Sequence, residues 1–311
     1  MQRTIRYLAS RIKLTKSTLK QNHRYCWCSY LQRASYTSAS PWSHRGELGP
    51  DNWAEWYPDA RGSCQSPIAL YSDADHRPLN LQLSGYNQPA NLTATNVGFT
   101  VSFQGECTKM ANSPCYITGA HGWLEKYSFN HLHMHWGETS EEGSEHTIDD
   151  QRFPMELHIV HCLGNLSLPE AVEQPKGLAV LGFVYEISEE DNEAYTPLLD
   201  AIRHVTYKDE EKEVVSSPSL TLASLLPPVL ESSYFYYSGS LTTPPCSEVV
   251  QWTVFSYPIP ISERQMQVFR SLQRCSGKGC VEPMSGNWRP LQESFGRLIY
   301  QSTSVDFLDS K

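Results

Sequence analysis

The chain has 311 residues, 40% of them hydrophobic, enough to bury a large core as one big domain or two ordinary ones. Eight of its 25 Lys and Arg fall in residues 1–41, which hold no Asp or Glu, so residues 42–311 carry 17 basic against 34 acidic side chains, a net of −17. A body that acidic lacks the cationic footprint of nucleic-acid binding, and no run approaches the roughly 18 apolar residues of a spanning helix, so neither a nucleic-acid partner nor a transmembrane segment is expected.

In residues 1–41, Ile5, Leu8, Ile12 and Leu19 recur at helical spacing, with Arg6, Lys13, Lys16 and Lys20 on other faces. This amphipathic, acid-free, Ser/Thr-rich segment reads as a basic targeting segment of mitochondrial type, or as a disordered basic tail. The apolar core of roughly 7–15 residues that marks a secretory signal is missing. Ser35–Pro41 reads as a linker, and one domain is expected over 42–311.

From Trp42 onward, short β-like runs alternate with Gly, Pro and Asn turns: LNLQLSGY (79–86), GFTVSFQG (98–105), MELHIVHCLG (155–164), GLAVLGFVYEI (177–187), VVQWTVFSYPI (249–259) and FGRLIYQS (295–302). Helices are expected at 189–205, where Tyr195, Leu198, Leu199, Ile202 and Val205 approach a 3.6 period, and at 262–272 with Ser262 as N-cap. Many strands and few helices, without strand–helix alternation, predict one sheet-dominated domain. Nine cysteines include no CxxC pair, which argues against a four-cysteine zinc module. Cys107 and Cys115, and Cys275 and Cys280 around Ser-Gly-Lys-Gly, suit short-loop disulfides and an oxidising compartment. Glycosylation sequons at Asn91 and Asn165 fit secretion.

The stretch FNHLHMHWG (129–137) places His131, His133 and His135 at every second position, flanked by Phe129, Leu132, Met134 and Trp136. A helix would scatter these imidazoles, whereas a strand presents residues i, i+2 and i+4 to one side. In MELHIVHCLG, Glu156, His158 and Val160 share one strand face, and Leu157, Ile159 and His161 the other. Two histidines from one strand and one from its neighbour would make the three-ligand tripod of a catalytic zinc, with the fourth position open. Glu156 is placed to hold the far N–H of His158 and fix its tautomer. Spacing alone leaves the His131/His133 and His133/His135 pairs equivalent, and His161 reads as a core histidine.

HMHWG, with GSEHTIDD and ELHIVH downstream, resembles the α-class carbonic anhydrases; so do GPDNW (49–53), CQSPIAL (64–70), GLAVLGFVYEI (177–187), GSLTTPPCSEVVQW (239–252) and GNWRP (286–290). These blocks follow the family's order and spacing from about Trp42 to Ile299. The resemblance implies a mainly β (α+β) fold, a single domain around a large twisted, mostly antiparallel sheet with a few short helices. It implies Zn2+ held by His133, His135 and His158, Glu156 behind His158, and reversible hydration of carbon dioxide to bicarbonate and a proton by zinc-bound hydroxide. Thr242, oriented by the buried Glu145, would accept the hydroxide's hydrogen bond. Val160, Val180, Leu241, Thr243, Val250 and Trp252 would line the substrate pocket, and His146 and His161 would be structural. Cys64 and Cys246 match the disulfide of the family's secreted and membrane-bound members, which favours an extracytoplasmic, secreted protein over the mitochondrial alternative.

The sequence departs from the family where protons leave. Val97 stands at the position of the shuttle histidine, His44 replaces a pocket tyrosine, and His131 replaces a pocket glutamine. An imidazole is the side chain that titrates near neutrality, so His44 and His131 are candidate proton relays. The alternative function is a catalytically silent or acidic, Ca2+- or mineral-associated extracellular protein of the same fold, for which net charge is the support.

Overall fold

The computed structural model describes residues 41–307 except 78–79, 108–114, 120–124, 215–219 and 228–232. Residues 1–40, where an amphipathic targeting segment is expected, lie outside the described residues. The strands are β1 (Ala69–Leu70), β2 (Asp75–His76), β3 (Asn80–Ser84), β4 (Ala90–Asn96), β5 (Val101–Cys107), β6 (Tyr116–Thr118), β7 (Tyr127–Trp136) and β8 (Thr147–Ile148). They continue with β9 (Met155–Leu163), β10 (Leu178–Ser188), β11 (Glu211–Glu213), β12 (Tyr234–Gly239), β13 (Val250–Ser262), β14 (Tyr300–Ser302) and β15 (Ser304–Phe307). One large sheet runs β11-β4-β5-β7-β9-β10-β13-β12-β14-β2, with β3, β6 and β15 off this path, and β1 pairs separately with β8. The sheet is mixed: most neighbours are antiparallel, but the long β10–β13 pair is parallel.

Side-chain parity places the site. Leu132, Met134 and Trp136 of β7, Leu157 and Ile159 of β9, and Ala179, Leu181 and Phe183 of β10 pack into one core cluster. Val160, Val180 and Trp252 belong to a second cluster, built from residues of the opposite parity on β9, β10 and β13. Burying a large apolar side chain is worth about 1.5–3 kcal/mol, so three such residues in β7 pin its register. A one-residue slip would exchange them for the histidines. A register shift between Phe129 and His131 breaks the alternation, so Phe129 packs against the first cluster while His131 faces the other way.

The helices are few and short. Glu263–Arg270 forms as expected: Ser262 caps it, its side chain accepting from Gln265 N, with Gln265 closing the capping box. The helix expected at 189–205 is shorter, Thr196–Ile202 preceded by a 3-10 turn at Glu193–Tyr195, because β10 runs on to Ser188 and Asn192 caps that turn. The helix Leu168–Val172 was not expected, although Ser167 and Glu170 spell its capping box. No helix among the described residues is long and apolar enough to cross a membrane.

Candidate metal centre

β7 and β9 run antiparallel with His133 opposite His158 and His135 opposite Glu156. This register brings one ligand atom each from His133, His135 and His158 within 4.8 Å of one another. The ring centroids lie 5.1 Å (His133–His135), 5.2 Å (His133–His158) and 4.7 Å (His135–His158) apart. His131 sits opposite Val160, one step along the strand, and its ring stacks on His133 at 5.1 Å.

Two of the three tautomers are set by partners outside the tripod. His135 Nδ1 donates to Asn287 O at 2.7 Å, which leaves Nε2 as the lone-pair nitrogen, buried and without a hydrogen-bond partner. His158 Nε2 donates to Glu156 Oε1 at 2.8 Å, which leaves Nδ1 for the centre. Burial lowers the basicity of all three rings, to about 4 for His135, so each is neutral near pH 7 and its lone pair available. Three neutral imidazoles with one open side fit a catalytic zinc.

Glu156 is fully buried, yet it accepts four hydrogen bonds: Glu145 N and His146 N at 2.8 Å on Oε2, His146 Nδ1 at 2.7 Å and His158 Nε2 at 2.8 Å on Oε1. Burial pushes this carboxyl up, but His146 and then His158 outweigh it and hold the group well below the usual range. Gly182, opposite His158 on β10, makes room for it; a Cβ there would stand 3.3 Å from Glu156 Oε1. The chain of contacts continues from His146 Nε2 to Tyr237 Oη (2.7 Å) and on to Ser66 Oγ (2.9 Å).

Glu145 is the second buried carboxyl. Its Oε1 accepts Arg289 N at 2.8 Å, and its Oε2 lies 3.5 Å from His135 Nε2 and 3.9 Å from His158 Nδ1. Burial pushes it up to about 7, against the pull of His158 and of hydrogen bonds from Thr242 and the Arg289 backbone. Above the tripod opens a cavity lined by His131, His133, His158, Val160, Val180, Leu241, Thr242, Thr243 and Trp252, joined by Leu168 and Val172 of the short helix. Val250 is not part of that lining; it pairs with Leu178 and Gly239 and is fully buried in the second core cluster.

Sequence reasoning assigned no role to Tyr237, Ser66, Asn287, Arg289, Leu168 or Val172. Asn287 and Arg289 lie inside the GNWRP block, about 150 residues after the groups they hold, and no local pattern ties them there. His161 is a core histidine as read, 2.7 Å from Tyr86 Oη on the opposite face of β9.

His44 does not meet the requirement for a relay. It is 8% exposed, edge-on to Trp42 and Trp53 at 5.4 and 5.7 Å, and absent from the cavity lining. Burial, with His135, Arg274 and Arg45 nearby, drives its pKa well below 6.5. His131 does line the cavity, but burial and the neighbouring His161 and His158 rings lower it to about 3. In dilute buffer, His44→Phe, which keeps the aromatic packing, is therefore expected to leave kcat unchanged; a large fall would restore His44 as a relay.

Cys64 and Cys246 are not bonded to each other in this structure. Their segments are joined without a covalent bond: Glu248 Oε1 accepts from Cys64 N (2.7 Å) and Gln65 Nε2 (3.0 Å), and Gln65 Nε2 also donates to Cys246 O (3.1 Å). Burial pushes the Cys246 thiol up to about 12, which keeps it out of the reactive thiolate form. Cys275 and Cys280 are bonded as expected. Cys115 is also in a disulfide, but the side chain of Cys107 lies outside the described residues.

The buried imidazoles make the metal-free protein acid-sensitive. His131, His135 and His161 bind protons near 6.5 when unfolded but only near about 3, 4 and 3 when folded. The unfolded state therefore takes up more protons as pH falls below 6.5, and each such histidine removes roughly 1 kcal/mol of stability per pH unit until its folded pKa is reached. The melting temperature of chelator-treated protein is expected to drop between about pH 7 and about pH 5. A flat profile over that window would contradict the burial of these neutral histidines.

The sequence pattern of one family, described as eukaryotic-type carbonic anhydrase, matches residues 48–303. Carbonic anhydrase 12 of Homo sapiens is 36% identical over 277 residues, covering 86% of this chain and 74% of its own length. Carbonic anhydrase 3 of Mus musculus is 34% identical over 270 residues, covering 85% and 99%. Carbonic anhydrase 7 of Mus musculus is 38% identical over 270 residues, covering 84% and 97%.

Proposed function

We propose that His133, His135 and His158 hold a zinc ion in this chain, which belongs to the eukaryotic-type carbonic anhydrase family and catalyses the reversible hydration of carbon dioxide to bicarbonate and a proton. The observation that carries the metal assignment is the convergence of three buried imidazoles beneath an apolar cavity, the free nitrogens of His135 and His158 turned inward by Asn287 and Glu156. Zinc, when bound, is a Lewis acid that brings the pKa of water to about 7 and so supplies a nucleophile at neutral pH.

The remaining chemistry belongs to the chain. Glu156 keeps the His158 proton on Nε2 and raises that ligand's basicity. Glu145 takes the Thr242 hydroxyl proton in a hydrogen bond, so Thr242 Oγ is left to accept from a group in the cavity. Val160, Val180, Leu241 and Trp252, with Leu168 and Val172, offer an apolar wall. Carbon dioxide has no charge to clamp, so such a wall works by holding it close to the nucleophile. Thr243 borders the same cavity.

The domain is taken to span residues 42–311, with residues 1–41 as a separate basic segment. An extracytoplasmic, secreted location is supported by the Cys275–Cys280 bond and the disulfide at Cys115; the basic leader supports the mitochondrial alternative. The test of function is elemental analysis alongside carbon dioxide hydration. One zinc per chain is expected, with activity that disappears on exhaustive chelation and returns with zinc. Full activity in zinc-free protein would refute the assignment.

A further inference from the structure

We propose that Asn165 carries an N-linked glycan, rooted beside the cavity's apolar wall; this rests on the extracytoplasmic reading above. Asn165–Leu166–Ser167 is an acceptor sequon. It follows the end of β9, in a turn closed by Leu166 N donating to Leu163 O at 3.1 Å. Gly164, at φ 58°, lets the chain leave the strand, and a Cβ built on it meets no described residue within 4 Å, so that side of the turn is open. Asn165 is exposed, and its amide makes no hydrogen bond to a described residue. A bulky substituent on that nitrogen breaks no hydrogen bond to a described residue.

The other sequon, at Asn91, is a poorer site. Asn91 is also exposed, but it lies within β4, opposite Glu106 of β5 and close to the β11 edge, so a sugar there would lie across neighbouring strands. Residues 165–167 have no strand partner among the described residues. Three residues after Asn165 begins the helix Leu168–Val172, whose Leu168 and Val172 line the cavity. A glycan at this turn is therefore rooted three residues from the helix that supplies part of the cavity's apolar wall.

The modification needs a lipid-pyrophosphate-linked oligosaccharide as co-reactant. Nδ2 of Asn165 attacks the anomeric carbon, the new C–N bond replaces the C–O bond to pyrophosphate, pyrophosphate-lipid leaves, and the amide gives up one proton. The donor acts on the secretory side of the cell, where disulfides such as Cys275–Cys280 also form.

The experiment is peptide mapping of the full-length protein from its native source, without reduction, after amidase release of N-glycans in heavy-oxygen water. Asn165 is expected to be recovered as heavy-oxygen-labelled Asp, with Cys275 and Cys280 linked in the same digest. If Cys275 and Cys280 are linked and Asn165 is unmodified, the glycan proposal is overturned while the extracytoplasmic reading stands. If both thiols are free and Asn165 is unmodified, both readings fall. Asn165→Gln in the full chain should remove the sugar-dependent mass shift and leave carbon dioxide hydration intact.

Discussion

Replacing His133, His135 or His158 with alanine is expected to empty the metal site and lower carbon dioxide hydration by about a thousandfold or more. A Lewis-acidic metal supplies several kcal/mol of transition-state stabilisation, and each 1.36 kcal/mol is a factor of ten. Each of the three imidazoles is buried, and each contributes one of the converging ligand atoms, so two remaining rings leave an incomplete shell. Glu156→Gln tests the layer behind. It keeps the three ligands but weakens the hydrogen bond that orients His158, and zinc affinity should fall by about 10- to 100-fold. His131→Ala is the control, because His131 shares the strand face and stacks on His133 without belonging to the group of three. It should keep its zinc. Metal content after competition with a chelator, read with hydration rate and circular dichroism, separates these cases. Stoichiometric zinc and full activity in any one of the three alanine variants would show that the tripod is wrong.

That the β7 histidines share one strand face was legible because its physics is local. A strand has a period of two, so His133 and His135 had to share a face, and Leu132, Met134 and Trp136 had to occupy the other. The Glu156–His158 pair was legible for the same reason. What local pattern cannot supply is register between strands, and the choice between His131/His133 and His133/His135 is a register question. In the structure His158 lies opposite His133 and Glu156 opposite His135, which groups His133, His135 and His158 and leaves His131 outside. The parallel β10–β13 pair, and the contacts of Tyr237, Ser66, Asn287 and Arg289 with the site, join segments far apart in sequence and leave no periodicity to read. His44 misled for another reason. Its residue type suggested a titrating group, but burial among Trp42 and Trp53 removes the water that a charged imidazole needs. The cysteines divided in the same way: Cys275 and Cys280 bracket a turn that brings them together, whereas Cys64 and Cys246 depended on a long-range match.

Glu145→Gln is expected to leave zinc in place and still lower kcat/KM by about 10²- to 10³-fold, the cost of losing one preorganised polar contact at a reacting centre. The direction of hydrogen bonding explains why a near-isosteric change does so much. Arg289 N–H points at Oε1, so the amide oxygen of a glutamine must take that position. Its NH2 group then faces the remaining partners, Thr242 among them, as a donor where the carboxylate was an acceptor. Thr242 Oγ would have to accept from the amide and turn its own proton into the cavity, the reverse of what the proposed role requires. Folding should survive, because burial already disfavours charge at this position and the amide keeps the shape. Thr242→Ala removes the same relay from its other end and should cost a similar factor, while Thr242→Ser, which keeps the hydroxyl, should retain most activity. If the two residues act as one unit, the double variant loses little more than either single one, and the coupling energy nearly equals one single-variant loss. If they act separately, the factors multiply to about 10⁴–10⁶. Measuring kcat/KM for the four proteins at equal zinc content decides between these outcomes, and a multiplicative result would remove the Glu145–Thr242 relay from the mechanism.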